Sequence, residues 1–141
     1  MSLFDVFNVS GSAMNAETIR LNTTASNLAN AESVNGDVSK VYRARHPVFQ
    51  AMMNSQSGLD DDQDASSGVR VMGVVESAAP LLQTYAPDNP LADKDGYVYT
   101  SNVNSIEEMA NMISANRSFS TDVEAINTAR DLLLKVISMG H

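Results

Sequence analysis

Phe4, Phe7, Gly11, Met14, Thr18, Leu21, Ala25 and Leu28 follow one another at alternating steps of three and four, which sets a heptad seam on one helical face. At the other end of the chain Met112, Phe119, Ile126 and Leu133 each stand one heptad apart, and Met109, Ile113, Val123, Leu134, Val136 and Ile137 widen that stripe. The first pattern predicts a helix from Leu3 to Ala31, ~40 Å long at ~1.5 Å per residue, and the second a helix from Ile106 to Met139 of ~50 Å. Ser105 and Glu108 have the spacing of a capping box at the start of the second helix, and Gly140 supplies its stop. Gly11 lies within the first seam, where it serves either as a close-approach point for a neighbouring helix or as a kink.

Between the helices the apolar pattern changes. Asn35-Gly36-Asp37 is a turn signal that ends the first helix. Val41 to Arg45 and Val48 to Met52 read as short extended pieces separated by His46-Pro47, since Pro biases the residue before it away from helix. Asn54 to Ser67 is rich in Ser, Gly, Gln and Asp, and its clustered carboxylates predict a mobile acidic loop. Val69 to Glu76 is the best strand, with Val69, Val71 and Val75 expected on one face, and Leu81 to Tyr85 is its expected hairpin partner. Pro87 to Pro90 and Asp93 to Gly96 are turns. The predicted fold is therefore mainly α with a small β region. Two long terminal helices pack as a coiled-coil-like pair and flank a short central β-hairpin unit with long loops. The expected segments are an assembly helix over 1–33, the β region over 34–104 and a second assembly helix over 105–141.

Composition narrows the functional classes. Aromatics make up only 6% of the chain and Trp is absent, so the apolar residues are mostly aliphatic, Ala and Met, which suits helix-on-helix packing better than a ligand pocket. The net charge of -8 argues against nucleic acid, whose phosphates need clustered Lys and Arg. With no Cys, neither disulfides nor thiolate metal sites are available. The first residues carry no Lys or Arg and their apolar character is periodic rather than continuous, so an ordinary signal peptide is not expected. No apolar run approaches the ~20 residues of a membrane helix, and the first helix lacks the basic face of an interfacial one, so direct membrane insertion is not expected.

No motif carries catalysis or metal binding. Asp60, Asp62 and Asp64 have calcium-loop spacing, but Ala65 stands where that loop needs Gly and Val71 where it needs Glu. His46 and His141 have no ligand-spaced partner, and no Gly-x-Ser-x-Gly elbow occurs. No cofactor and no enzymatic activity are expected. Asn22, Asn27, Asn30 and Asn116 are either amides that hydrogen-bond across helices or exposed surface amides. A helix pair joined through so small a middle leaves apolar stripe uncovered, and an uncovered stripe marks a partner site. The pattern leaves open a subunit of a larger assembly, or a soluble helical adaptor or export chaperone holding one client.

Leu21-Asn22-Thr23-Thr24-Ala25-Ser26-Asn27-Leu28-Ala29-Asn30-Ala31-Glu32-Ser33 resembles the N-terminal signature of flagellar basal-body rod and hook proteins. Further blocks, Tyr42 to Phe49, Gly68 to Val71, Asp93 to Val98, Asn102 to Met109 and Met112 to Ser118, resemble the proximal-rod branch of that family and follow its order along nearly the whole chain. The resemblance implies a structural subunit of the axial rod in the periplasm, moved by the flagellar export apparatus without a cleaved signal peptide. It also implies terminal helices that pack on each other, on copies of the chain and on other rod subunits in a helical tube. The expected interface then comprises Phe7, Met14, Leu21, Ala25, Asn27, Leu28 and Asn30 on the first helix. On the second it comprises Met112, Phe119, Val123, Ile126, Leu133 and Ile137.

Overall fold

Both heptad stripes form helices. The computed structural model describes residues 3–53 and 67–140. Helix α1 spans Leu3–Ala29 and helix α2 spans Ser105–Met139, with strands β1 (Val34–Asn35), β2 (Arg45–Met53), β3 (Ser67–Glu76), β4 (Leu82–Tyr85) and β5 (Tyr97–Thr100) between them. The predicted acidic loop and its carboxylates Asp60 to Asp64 lie outside the described residues, as does His141.

Two small antiparallel sheets make up the middle, one ordered β1-β5-β4 and the other the β2-β3 hairpin. Leu82–Tyr85 therefore pairs with Tyr97–Thr100 rather than with the Val69 strand, whose partner is Arg45–Met53. The turns between Pro87 and Gly96 explain the first pairing. Asp93 Oδ1 accepts from the amides of Asp95 and Tyr97 at 2.9 and 2.8 Å, and Gly96 takes φ 80°, folding β5 back on β4. His46-Pro47 does not interrupt the hairpin strand, because a two-stranded sheet gives β2 a free edge where Pro lacks nothing it must donate. Only the piece from Arg45 onward is strand; Val41 to Ala44 is irregular.

The hairpin also corrects the expected face of β3. Register shifts by one where Val48 pairs with Gly73 and Phe49 with Val71, leaving Met72 as an extra residue. Alternation reverses beyond such a bulge, so Val69 and Val71 are half-buried while Val75 is 52% exposed and Val74 takes its place toward α1.

Helix α2 is capped by Asn104, not Ser105: its Oδ1 accepts from the amides of Ile106 at 3.1 Å and Glu107 at 3.4 Å. Asn is as good a cap as Ser, and moving the cap back by one turns Glu108 inward, where it is buried in the positive first turn of the helix. The helices run antiparallel. Arg20 donates to Asn111 Oδ1 at 3.4 Å, and Val6 shares a groove with Ala125, Ala129 and Leu132. Among the described elements, only α1 touches both α2 and the hairpin.

Gly36 is a close-approach residue: a Cβ there would run into the Leu91 carbonyl oxygen and stand 2.9 Å from the Asp93 nitrogen. Gly11 is the opposite case, exposed and with nothing within 4 Å of the position of a Cβ, so no neighbour among the described residues accounts for it. Gly36→Ala is therefore expected to lower unfolding free energy by about 2 kcal/mol, the range of an overpacked site. Gly11→Ala is expected to raise it by up to ~1 kcal/mol through helix propensity. Urea unfolding of both variants reads the difference; equal midpoints would contradict it.

Candidate assembly surface and its anchoring junction

The signature stretch of α1 ends in an amide that is completely buried. Asn27, 0% exposed, accepts at Oδ1 from the Tyr42 hydroxyl and the Arg45 amide, both at 2.9 Å, and donates through Nδ2 to the Arg45 carbonyl at 2.8 Å. It thus supplies the backbone of Arg45 with the ladder bonds that a neighbouring strand would give. The Ser26 hydroxyl, 3.1 Å from the Tyr42 oxygen, donates into the same chain, and the Arg45 guanidinium lies 5.5 Å from the centre of the Tyr42 ring.

A second amide works from the other side. Asn102 accepts from the Ala44 amide at 2.8 Å and donates to the Ala79 carbonyl at 2.9 Å, and Arg43 donates to the carbonyls of Ser77 and Ala79 at 3.3 and 3.2 Å. Ala31, Val41, Ala44, Val98 and Ser101 are buried around these bonds. The end of α1, the start of β2, the end of β5 and the approach to α2 meet at this one junction. The Arg45–Glu76 ion pair beside it has both side chains about half exposed, at 3.1 Å, and adds little.

Above the junction α1 divides its circumference. Ser10, Ala16, Thr24 and Asn27 form its buried line, and Ala13, Ala16 and Glu17 also face Phe49 and Val69 of the hairpin. Ser12 Oγ adds a bond from the Val69 amide at 3.1 Å. At ~100° per residue the line of Gly11, Thr18 and Ala25 lies roughly two-fifths of a turn from the buried one, and all of these residues are exposed. Phe7, Met14, Leu21 and Leu28 stand half-buried along its border. The heptad seam of α1 therefore borders a line of exposed residues, Gly11, Thr18 and Ala25.

On α2 the stripe does face its partner: Met112, Phe119, Val123, Ile126 and Leu133 are half-buried beside the buried Ala115 and Ala129. Ile137 is 62% exposed near the end of the helix. Of the asparagines, Asn27 is buried but bonds to the loop and strand that follow rather than across to α2, Asn30 returns to the Ser26 carbonyl of its own helix at 2.8 Å, and Asn22 and Asn116 are exposed. Sequence reasoning missed Asn102 and Arg43 as junction residues. An Asn between a strand and a helix cap was the available signal.

Two long helices at the ends of the chain enclose a small β region and are joined to it through one polar junction, a mainly helical class of fold. The chain belongs to the flagellar basal-body rod protein family and is a structural rod subunit of the basal body. Residues 7–36 match the family described as flagella basal body rod protein, and residues 94–139 match the flagellar basal body rod FlgEFG protein C-terminal family. Among its relatives, the flagellar basal-body rod protein FlgC of Escherichia coli O6:H1 is 45% identical over 141 residues, covering the whole of both chains. That of Salmonella typhimurium is 44% identical over the same length, and that of Buchnera aphidicola subsp. Schizaphis graminum is 39% identical over 145 residues, again with both chains fully covered. The adaptor alternative is set aside by this membership.

Removing the Asn27 side chain takes these partners from the part-buried backbone amide and carbonyl of Arg45, each worth ~1–3 kcal/mol, while the Tyr42 hydroxyl keeps Ser26. Asn27→Ala is expected to lose about 3 kcal/mol in urea unfolding. A loss below ~0.5 kcal/mol would show that other contacts hold the junction.

Proposed function

We propose that this rod subunit polymerises through its terminal helices, with copies of itself and other rod subunits, into the axial shaft of the flagellum. The observation that carries the reading is that the α1 seam borders a line, Gly11, Thr18 and Ala25, left exposed among the described residues. The thinness of the core supports it. Among the described residues the buried apolar ones are Ala16, Ala31, Val41, Ala44, Val98, Ala115 and Ala129, and the largest side chains below 2% exposure are Asn27 and Ser101. Alanines bury about one methyl each, at ~0.8 kcal/mol per carbon, so the free helix pair gains little from its own packing. Partners on the free face supply the rest.

The proposal extends to the route. The subunit reaches the rod, in the periplasm, through the flagellar export apparatus and without a cleaved signal peptide, and a loosely held helix pair suits passage through a narrow channel. Assembly then orders the helices by covering Phe7, Met14, Leu21 and Leu28, and the packed stripes carry axial and torsional load.

Ala25→Glu places a charge on the exposed seam, where the fold has nothing to lose beyond ~0.5 kcal/mol. It is expected to leave urea unfolding unchanged and to abolish swimming and recovery of the subunit in isolated basal bodies. Leu28→Asp, at the half-buried border, is expected to block assembly as well. Normal swimming by both variants would contradict the seam as an interface.

A further inference from the structure

Asn35-Gly36, the turn signal that follows the first helix, is the only Asn-Gly pair in the sequence. It is also the pair in which an asparagine amide is most open to its own main chain, because Gly has no Cβ to shield the attacking nitrogen. The nitrogen of Gly36 gives up its proton to solvent and attacks Cγ of Asn35. A new bond closes a succinimide ring, the bond from Cγ to Nδ2 breaks, and the amide nitrogen takes up a proton and leaves as ammonia. Water then opens the ring. Attack at Cγ leaves an aspartate, and attack at the main-chain carbonyl leaves an isoaspartate, whose chain runs through Cβ and Cγ. Water is consumed and ammonia released, with no change of oxidation state.

The fold opposes every part of this step. Asn35 lies in β1 opposite Tyr99 of β5, and an extended backbone turns the Gly36 nitrogen away from Cγ. The side chain is tied down as well, since its Oδ1 accepts from the Asp37 amide at 2.9 Å. Gly36 itself is wedged: a Cβ on it would run into the Leu91 carbonyl oxygen and stand 2.9 Å from the Asp93 nitrogen and 3.0 Å from the Ala92 carbonyl carbon. The peptide between Asn35 and Gly36 therefore has no room to swing into the ring geometry. Yet the lock is short. Strand β1 has two residues, and the bond from the Ser101 amide to the Ser33 carbonyl at 3.2 Å extends it by one step. Pairing of this length opens at a small fraction of the cost of global unfolding.

We propose that Asn35-Gly36 is a spontaneous modification site gated by the fold: silent while β1 is paired with β5, reactive when β1 is detached, and barred from return once isoaspartate has formed. The last clause follows from the same contacts. Isoaspartate lengthens the main chain between Asn35 and Gly36, where the seat against Leu91 and Asp93 has no slack. It also replaces the side-chain oxygen that holds the Asp37 amide with a carboxylate borne on the displaced Cα. Time spent with β1 detached is thereby recorded in the covalent structure of the subunit, and recorded chains lose the tie between the end of α1 and β5. This inference stands apart from the assembly reading above.

The test ages the purified full-length chain at mildly alkaline pH, once in buffer and once in guanidinium chloride. Trypsin releases residues 21–40 as one peptide, and tandem mass spectrometry reads Asn35 in it separately from Asn22, Asn27 and Asn30. Deamidation at Asn35 is expected to be the fastest in the denatured peptide, to rise with pH, and to be at least ~10-fold slower in the folded chain. Equal rates in the two conditions would overturn the gate, and an intact Asn35 after ageing in denaturant would overturn the site. Aged chains are then refolded beside Asn35→Ser chains aged in the same way. A lowered urea midpoint is expected for the natural sequence alone. An unchanged midpoint in chains carrying isoaspartate, or an equal loss in Asn35→Ser, would overturn the claim that this lesion blocks return.

Discussion

The buried side chain of Asn27 is the constraint on which the rest of the molecule depends. An amide carries both a donor and an acceptor, and here both are directed at Arg45, so α1 and the first residue of the hairpin are fixed to each other as strands in a sheet are. Asn102 fixes Ala44 from the opposite side, one peptide away. Between them these amides turn the loop from Val41 to Arg45 into a shared wall, and four segments distant in sequence leave it in set directions. Apolar packing of this small size would leave those directions loosely specified, whereas hydrogen bonds in a dry junction are selective for geometry.

With its end held there, α1 becomes the spine. It packs on α2 and on the hairpin, and what remains is a line of exposed residues beside the seam. Small residues bury little area each, and the buried apolar positions among the described residues are mostly alanines. A subunit with strong polar direction and thin apolar cohesion is suited to becoming stable in the company of others. The exposed outer surface of the hairpin, with Val48, Met52, Met72 and Val75, adds apolar area of the same kind on another side.

Much of this was legible in the chain, and the exceptions have physical causes. Helical periodicity placed α1 and α2 to within a few residues, because long amphipathic repeats are the strongest local signal. The seam of α1 is legible as a pattern, but a pattern of large residues does not say what lies against it or that Ser10, Ala16, Thr24 and Asn27 are the buried positions of the helix. Strand partners were harder. Val69 to Glu76 pairs with a strand across an intervening segment instead of with the next one, and the bulge at Met72 that reverses its faces depends on the partner's register. The cap moved from Ser105 to Asn104, since both residues suit that position and only the approach of the preceding loop decides. The pinning of Tyr42 and Arg45 by Asn27 depends on the meeting of segments that no local spacing encodes.

Hydrogen exchange on the purified, unassembled chain, compared with the same chain in isolated basal bodies, tests the central claim most directly. Slow exchange at the junction, around Asn27 to Arg45 and Val98 to Glu108, together with fast exchange along Leu3 to Thr18 and beyond Ala115 in the free chain, is expected, with both helices becoming protected in the rod. Strong protection of both helices throughout in the free monomer, unchanged by assembly, would contradict it: the pair would then be complete without partners, and the uncovered seam would need another explanation.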